Sequence, residues 1–179
     1  MNDDPATPTI DRMNDDPETR PFRLVFVCTG NTCRSPLAEA LARRYASERG
    51  WSQLEVGSAG VAAGAGAPAS VGSIDAGEQI GLDLNDHAST PLTEDLVEAS
   101  DLILTMSPHH LVRVVELGGG GRATLLTAFA EGREDEDAFD APGIPDPFGG
   151  PIEEYVRTRD RIDTLVQQVL DRLEPLLAP

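Results

Sequence analysis

Between residues 24 and 50 the chain passes from a continuous apolar stretch into a polar loop and then into a helix, an order that few folds accommodate. Leu24-Val25-Phe26-Val27 has no polar alternation, as expected of a strand covered on both faces in a parallel sheet. The loop Cys28-Thr29-Gly30-Asn31-Thr32-Cys33-Arg34-Ser35 follows at once. Ser35 is placed to cap a helix, Pro36 suits its first turn, and Glu39 lies near its positive end. Leu37, Ala40, Leu41, Arg44 and Tyr45 then share one face, and Gly50 stops the run.

The alternation continues downstream. Leu54-Glu55-Val56 reads as a short strand, 68–80 as a helix led by Pro68, and 93–99 as a helix that starts near Thr93. Leu102-Ile103-Leu104 is a second buried strand, and Pro108 to Leu117 is a helix ended by the glycines 118–121. Ala123 to Leu126 is a last short strand. A long helix from Ile152 to about Leu176 carries Ile152, Tyr155, Val156, Arg159, Ile162, Leu165, Val166, Val169 and Leu170 near a 3.6-residue period. Strands alternating with helices predict an α/β layer fold with a parallel sheet, which binds ligands at the carboxyl ends of its strands. The loop 28–35 belongs to that edge.

A chain of 179 residues suits one domain. Residues 1–21 read as a disordered acidic tail, polar and proline-bearing, in which Met1-Asn2-Asp3-Asp4-Pro5 recurs as Met13-Asn14-Asp15-Asp16-Pro17. Met13 is thus a second candidate start, and 22–179 form the single domain. The net charge of −17 argues against nucleic acid and anionic lipid as partners. No apolar run is long enough to span a membrane, and the N-terminus is unlike a secretory signal, so the expected location is cytoplasmic. The two cysteines, Cys28 and Cys33, exclude a disulfide scaffold and cannot complete a zinc site by themselves.

Loop 28–35 has the makings of an oxyanion cup. It joins a strand to a helix N-terminus, where unpaired backbone N–H groups converge. Gly30 and Asn31 permit the left-handed backbone that turns successive N–H groups into a concave nest. Arg34, six residues after Cys28, reaches across the cup and offers a fork to two phosphoryl oxygens. The same positive field favours the Cys28 thiolate, the nucleophilic form. Ser35, and Thr29 in the right rotamer, can donate to its sulfur. A plain Gly-Asn turn with two buried thiols is the competing reading. A loop wrapped as a cup also brings Cys33 towards Cys28, close enough for a protective, reversible disulfide; a small buried hydrophobe is the other role open to Cys33.

Three segments in this order resemble the low-molecular-weight protein tyrosine phosphatase family: Val25-Phe26-Val27 with the loop through Pro36, Gly57-Ser58-Ala59-Gly60, and Asp146-Pro147-Phe148-Gly149-Gly150. The resemblance covers about residues 22–175. It implies a four-stranded parallel sheet flanked by helices on both sides, no metal or cofactor, and Asp146 as the acid that protonates the leaving group. From the residues alone Asp146 is also compatible with an ordinary Asp-Pro turn. The resemblance further implies that Asn31 bonds to Ser58 and His87 to hold the loop, although a lone His87 reads equally as a surface residue. His109 and His110 match no family role and are expected on the helix surface.

The expected partners are phosphorylated proteins, with phosphate or another oxyanion in the cup. Thr32 stands where many tyrosine phosphatases have a larger aliphatic residue, and the Thr-Cys-Arg-Ser form resembles the bacterial protein arginine phosphatase branch. A hydroxyl there suits a planar guanidinium, and Phe148 can wall either leaving group. Phosphoarginine is therefore the favoured substrate and phosphotyrosine the alternative. An arsenate reductase would need further cysteines, and a non-catalytic phosphoprotein-binding module would need neither nucleophile nor acid.

Overall fold

The computed structural model describes residues 20–134 and 142–177. Four strands form one sheet: β1 (Phe22–Cys28), β2 (Leu54–Gly60), β3 (Leu102–Thr105) and β4 (Ala123–Leu125). All pairs are parallel, and the order across the sheet is β2-β1-β3-β4. The helices are α1 (Arg34–Glu48), α2 (Val71–Glu78), α3 (Glu94–Ala99), α4 (Pro108–Glu116), α5 (Leu126–Glu131) and α6 (Ile152–Leu177). The predicted α/β fold with a four-stranded parallel sheet is the one observed.

The strand β1 explains the two-sided burial. Leu24 and Phe26 point into a core shared with Leu37 and Leu41 of α1 and with Ile162, Leu165, Val166 and Val169 of α6. Val25 and Val27 point the other way, against Val97 of α3 and Val114 of α4. Helices cover both faces, so β1 has no solvent side and needs no polar alternation. The sheet order reverses at β1, whose chain crosses to β2 on one side while β3 leads to β4 on the other. Such a switch opens a crevice beyond the strand ends. Cys28 ends β1 there, and the Met106 N–H bonds the Val27 carbonyl at 3.0 Å, which brings the start of α4 beside the loop.

Several elements differ from expectation at their ends. The strand β2 runs on through Gly57-Ser58-Ala59-Gly60, paired residue by residue with Val25 to Cys28. The helix α2 is shorter than 68–80, because its start is set by Ser70, whose N–H bonds the Thr32 carbonyl at 2.8 Å. Leu126 opens the unforeseen helix α5 instead of ending β4, and Gly132 closes that helix at φ +69°. The helix α3 starts beside Thr93 as expected, and Thr93 caps it, its hydroxyl accepting from the Leu96 N–H. The described chain begins at Arg20, whose guanidinium forks onto Asp101 at 2.7 and 2.5 Å. The acidic tail lies otherwise outside the described residues. Of the acidic run Glu134 to Asp137, only Glu134 is described, and it pairs with Arg172 at 2.5 Å. Among the described residues no helix is long and apolar enough to cross a membrane.

Candidate active site

Loop 29–33 turns between β1 and α1 because Asn31 adopts φ +54°, a left-handed conformation that few non-glycine residues accept. The turn is held from four directions. The Asn31 amide donates to the hydroxyls of Ser35 and Ser58, each at 2.8 Å, and its carbonyl oxygen accepts from the Thr90 N–H at 2.8 Å. The Asn31 backbone carbonyl meets Nε2 of His87 at 2.7 Å. Ser58 in turn donates to Glu39 of α1. The structure therefore brings Asn31, Ser58 and His87 together, and His87 is half-buried rather than a free surface residue.

Ser35 is not the helix cap expected from the sequence. The helix begins at Arg34, its cap position is Cys33 with no side-chain cap bond, and Ser35 is fully buried inside the first turn. Its hydroxyl lies 3.0 Å from the Cys28 sulfur while accepting from Asn31. With the thiol ionised, the serine proton has the sulfur as its acceptor. Thr29 does not reach that sulfur. Its hydroxyl engages Nε2 of His110 at 2.8 Å and accepts from the Arg34 guanidinium at 3.4 Å.

Arg34 is buried. One terminal nitrogen donates to the Ile144 carbonyl at 3.0 Å and the other to Asp146 at 2.7 Å. Its Nε is buried with no hydrogen-bond partner among the described residues. Asp146 is about half exposed, and its other oxygen accepts from the Phe148 N–H at 3.2 Å, which fixes the Asp-Pro-Phe turn. Cys28, Thr29, Gly30, Thr32, Cys33, Arg34, Asp146 and Phe148 line one cleft of about 210 Å³. The Phe148 ring stands exposed at its rim. Cys28, Arg34, Asp146 and Phe148 thus face a single space with Thr29, Gly30, Thr32 and Cys33, whereas Asn31 and Ser35 are buried behind the loop and do not line it. Cys33 carries a free thiol, donates to the Ser70 hydroxyl at 3.2 Å and packs against Ala76 and Tyr155.

His110 departs furthest from expectation. Instead of lying on the helix surface it is fully buried against the loop, while its neighbour His109 is exposed. Its Nδ1 lies 2.9 Å from the Ser107 hydroxyl. Burial, with the nearby His109 and Arg34 adding to the effect, pushes its pKa down to about 3, so the ring is neutral at ordinary pH.

The fold and the site define an α/β protein with a cleft at the carboxyl end of its first strand, lined by the thiol Cys28, the guanidinium Arg34 and the carboxylate Asp146. The chain belongs to the low molecular weight phosphotyrosine protein phosphatase family, whose model matches residues 23–176, and is a phosphatase of that family. It is 37% identical over 153 residues to a protein-arginine-phosphatase of Bacillus subtilis, covering 84% of this chain and 96% of that one. It is 34% identical over 125 residues to the low molecular weight protein-tyrosine-phosphatase Wzb of Escherichia coli, covering 70% of this chain and 77% of that one. Among solved structures it matches a YwlE arginine phosphatase mutant with a phosphorylated active-site serine. That match has a TM-score of 0.77 and 35% identity, and covers 86% of this chain and 96% of that one.

Proposed function

We propose that this phosphatase hydrolyses phosphoarginine in proteins through a cysteinyl-phosphate intermediate. The observation that carries the reading is the convergence of Cys28, Arg34 and Asp146 on one cleft, with Thr32 on its wall. The Cys28 thiolate attacks phosphorus, and the bond to the guanidine nitrogen breaks with its electron pair on that nitrogen. Asp146 supplies the proton the nitrogen takes up. In the second step Asp146 accepts a proton from water, the resulting oxygen attacks phosphorus, and the S–P bond breaks to return the thiolate. Arg34 and the loop N–H groups hold the equatorial oxygens throughout. The unpartnered Nε of Arg34 supports this role, because a bound oxyanion gives that buried donor its acceptor.

The arginine phosphatase relative supports the choice of leaving group. The chemistry of Thr32 supports it independently, since its hydroxyl puts a polar atom where an aliphatic side chain would press on an aromatic ring. Phosphotyrosine is the second reading, favoured by the tyrosine phosphatase relative and by the exposed Phe148 ring, which can stack on a phenol. The two free cysteines suit the reducing environment of the cytoplasm, where we place the protein.

Turnover of phosphoarginine and phosphotyrosine peptides by the wild type and Thr32→Ile tests the assignment. Wild type should prefer phosphoarginine and the variant should shift towards phosphotyrosine. A wild-type preference for phosphotyrosine would overturn the choice of substrate, and undiminished turnover by Cys28→Ser would overturn the covalent route.

A further inference from the structure

We propose that His110 is a positioning residue for Arg34, acting as a neutral imidazole through the hydroxyl of Thr29. The inference rests on the reading of Arg34 as the phosphoryl clamp and adds a support that reaches it from the start of α4.

The argument follows the protons. A guanidinium can only donate, so the Thr29 oxygen accepts from Arg34. The Thr29 proton is then free for Nε2 of His110, at 2.8 Å. If Nε2 accepts, the ring proton sits on Nδ1 and is donated to the Ser107 hydroxyl at 2.9 Å. Ser107 has its own proton left for Nδ1 of His109, also at 2.9 Å. One direction of donation, Arg34 to Thr29 to His110 to Ser107 to His109, satisfies every member, and it fixes the tautomer of His110.

A doubly protonated His110 would break this chain. Both ring nitrogens would donate, the Thr29 proton would lose its acceptor, and a second cation would sit in the buried space beside Arg34. Full burial of the ring and the proximity of Arg34 both oppose that state. Arg34 is otherwise held by Ile144 and Asp146, both on the loop that carries the candidate acid. Thr29 and His110 are therefore the anchor that comes from outside that loop. Thr29 belongs to the cup and His110 to α4, so this contact orients the guanidinium independently of the loop that carries Asp146.

The test compares His110→Ala, His110→Gln, Thr29→Val and the double variant Thr29→Val/His110→Ala. The readouts are kcat, KM and titration calorimetry with inorganic phosphate. Losing one positioning hydrogen bond should lower kcat/KM about tenfold and weaken phosphate binding in His110→Ala and in Thr29→Val alike. The double variant should be no worse than Thr29→Val, because the two residues act in series. Gln can accept the Thr29 proton and should recover most of the loss. If the alanine variant does not fold, His110→Leu, which fills the space but cannot accept a proton, takes its place alone and with Thr29→Val. Losses that multiply to about a hundredfold in the double variant would overturn the proposal. So would a His110→Ala enzyme with wild-type kinetics, or a Gln variant no better than Ala. A wild type that neither turns over phosphoryl substrates nor binds phosphate would instead defeat the functional reading on which the inference rests.

Discussion

Replacing Asn31 with alanine should be among the costliest single changes to this protein, for reasons that separate cleanly. The side chain is fully buried and makes three hydrogen bonds, to Ser35, Ser58 and the Thr90 N–H. The Ser35 and Ser58 hydroxyls keep acceptors for their own protons but lose a donor, at about 1 kcal/mol each. Thr90 is exposed, so water replaces that bond and its loss counts for little. The backbone stands at φ +54°, where alanine adds about 1–2 kcal/mol that asparagine partly avoids. The sum is about 3–4 kcal/mol. Asn31→Gly loses the same bonds without the backbone term and should cost about 1 kcal/mol less than alanine. Urea unfolding at pH 7 measures both variants. The kinetics should fall with stability, because Ser35 is held towards the Cys28 sulfur by the same amide. An alanine variant destabilised by less than about 1 kcal/mol would refute the bookkeeping, and a glycine variant equal to alanine would refute the strain component.

Two other changes test neighbouring parts of the argument. The pKa of His110 falls from 6.5 in the unfolded chain to about 3 in the fold, so its contribution is fully present above pH 6.5 and is lost as pH falls towards 3. The slope is about 1.4 kcal/mol per pH unit, so by pH 5 wild type should lose about 2 kcal/mol more than His110→Gln, read from paired urea titrations at pH 7 and pH 5. Equal losses in the two proteins would refute neutral burial. Gly60→Ala puts a methyl 2.5 Å from the Thr29 carbonyl and 2.8 Å from the Asn31 nitrogen, both backbone atoms of the cup. It should cost at least about 2 kcal/mol and lower the affinity for inorganic phosphate; wild-type phosphate binding in a folded variant would contradict the close approach.

What could be read from the residues depended on how local each feature is. The loop after β1 is local, so its place between a buried strand and a helix is legible from Cys28 to Ser35, and its proposed chemistry rests on those same residues. The extension of β2 was not, because Gly57-Ser58-Ala59-Gly60 lacks β-propensity and is held as strand by its pairing with β1. The helix α5 is six residues long, too short for a periodic signal to separate it from the strand before it. The partnership of Arg34 and Asp146 spans 112 positions, and only the resemblance joined them. Ser35 lies two positions past the observed cap, Cys33, because the helix already starts at Arg34, and its hydroxyl meets the Cys28 sulfur instead.

His110 is the instructive error, because its signal was present. Four residues before the buried Val114, it occupies the inward face of α4 by helical spacing alone. It also follows the end of β3 by five residues, at the edge where the predicted cup had to lie. A histidine on an inward face beside the loop must find partners for both ring nitrogens, which a place on the helix surface does not require. Once it has them, a buried neutral ring is cheaper to keep there than a charged one, since it sets no cation against Arg34. The physics that made the first strand legible, namely that each buried group must be apolar or satisfied, applies to this ring without change and assigns it to the loop.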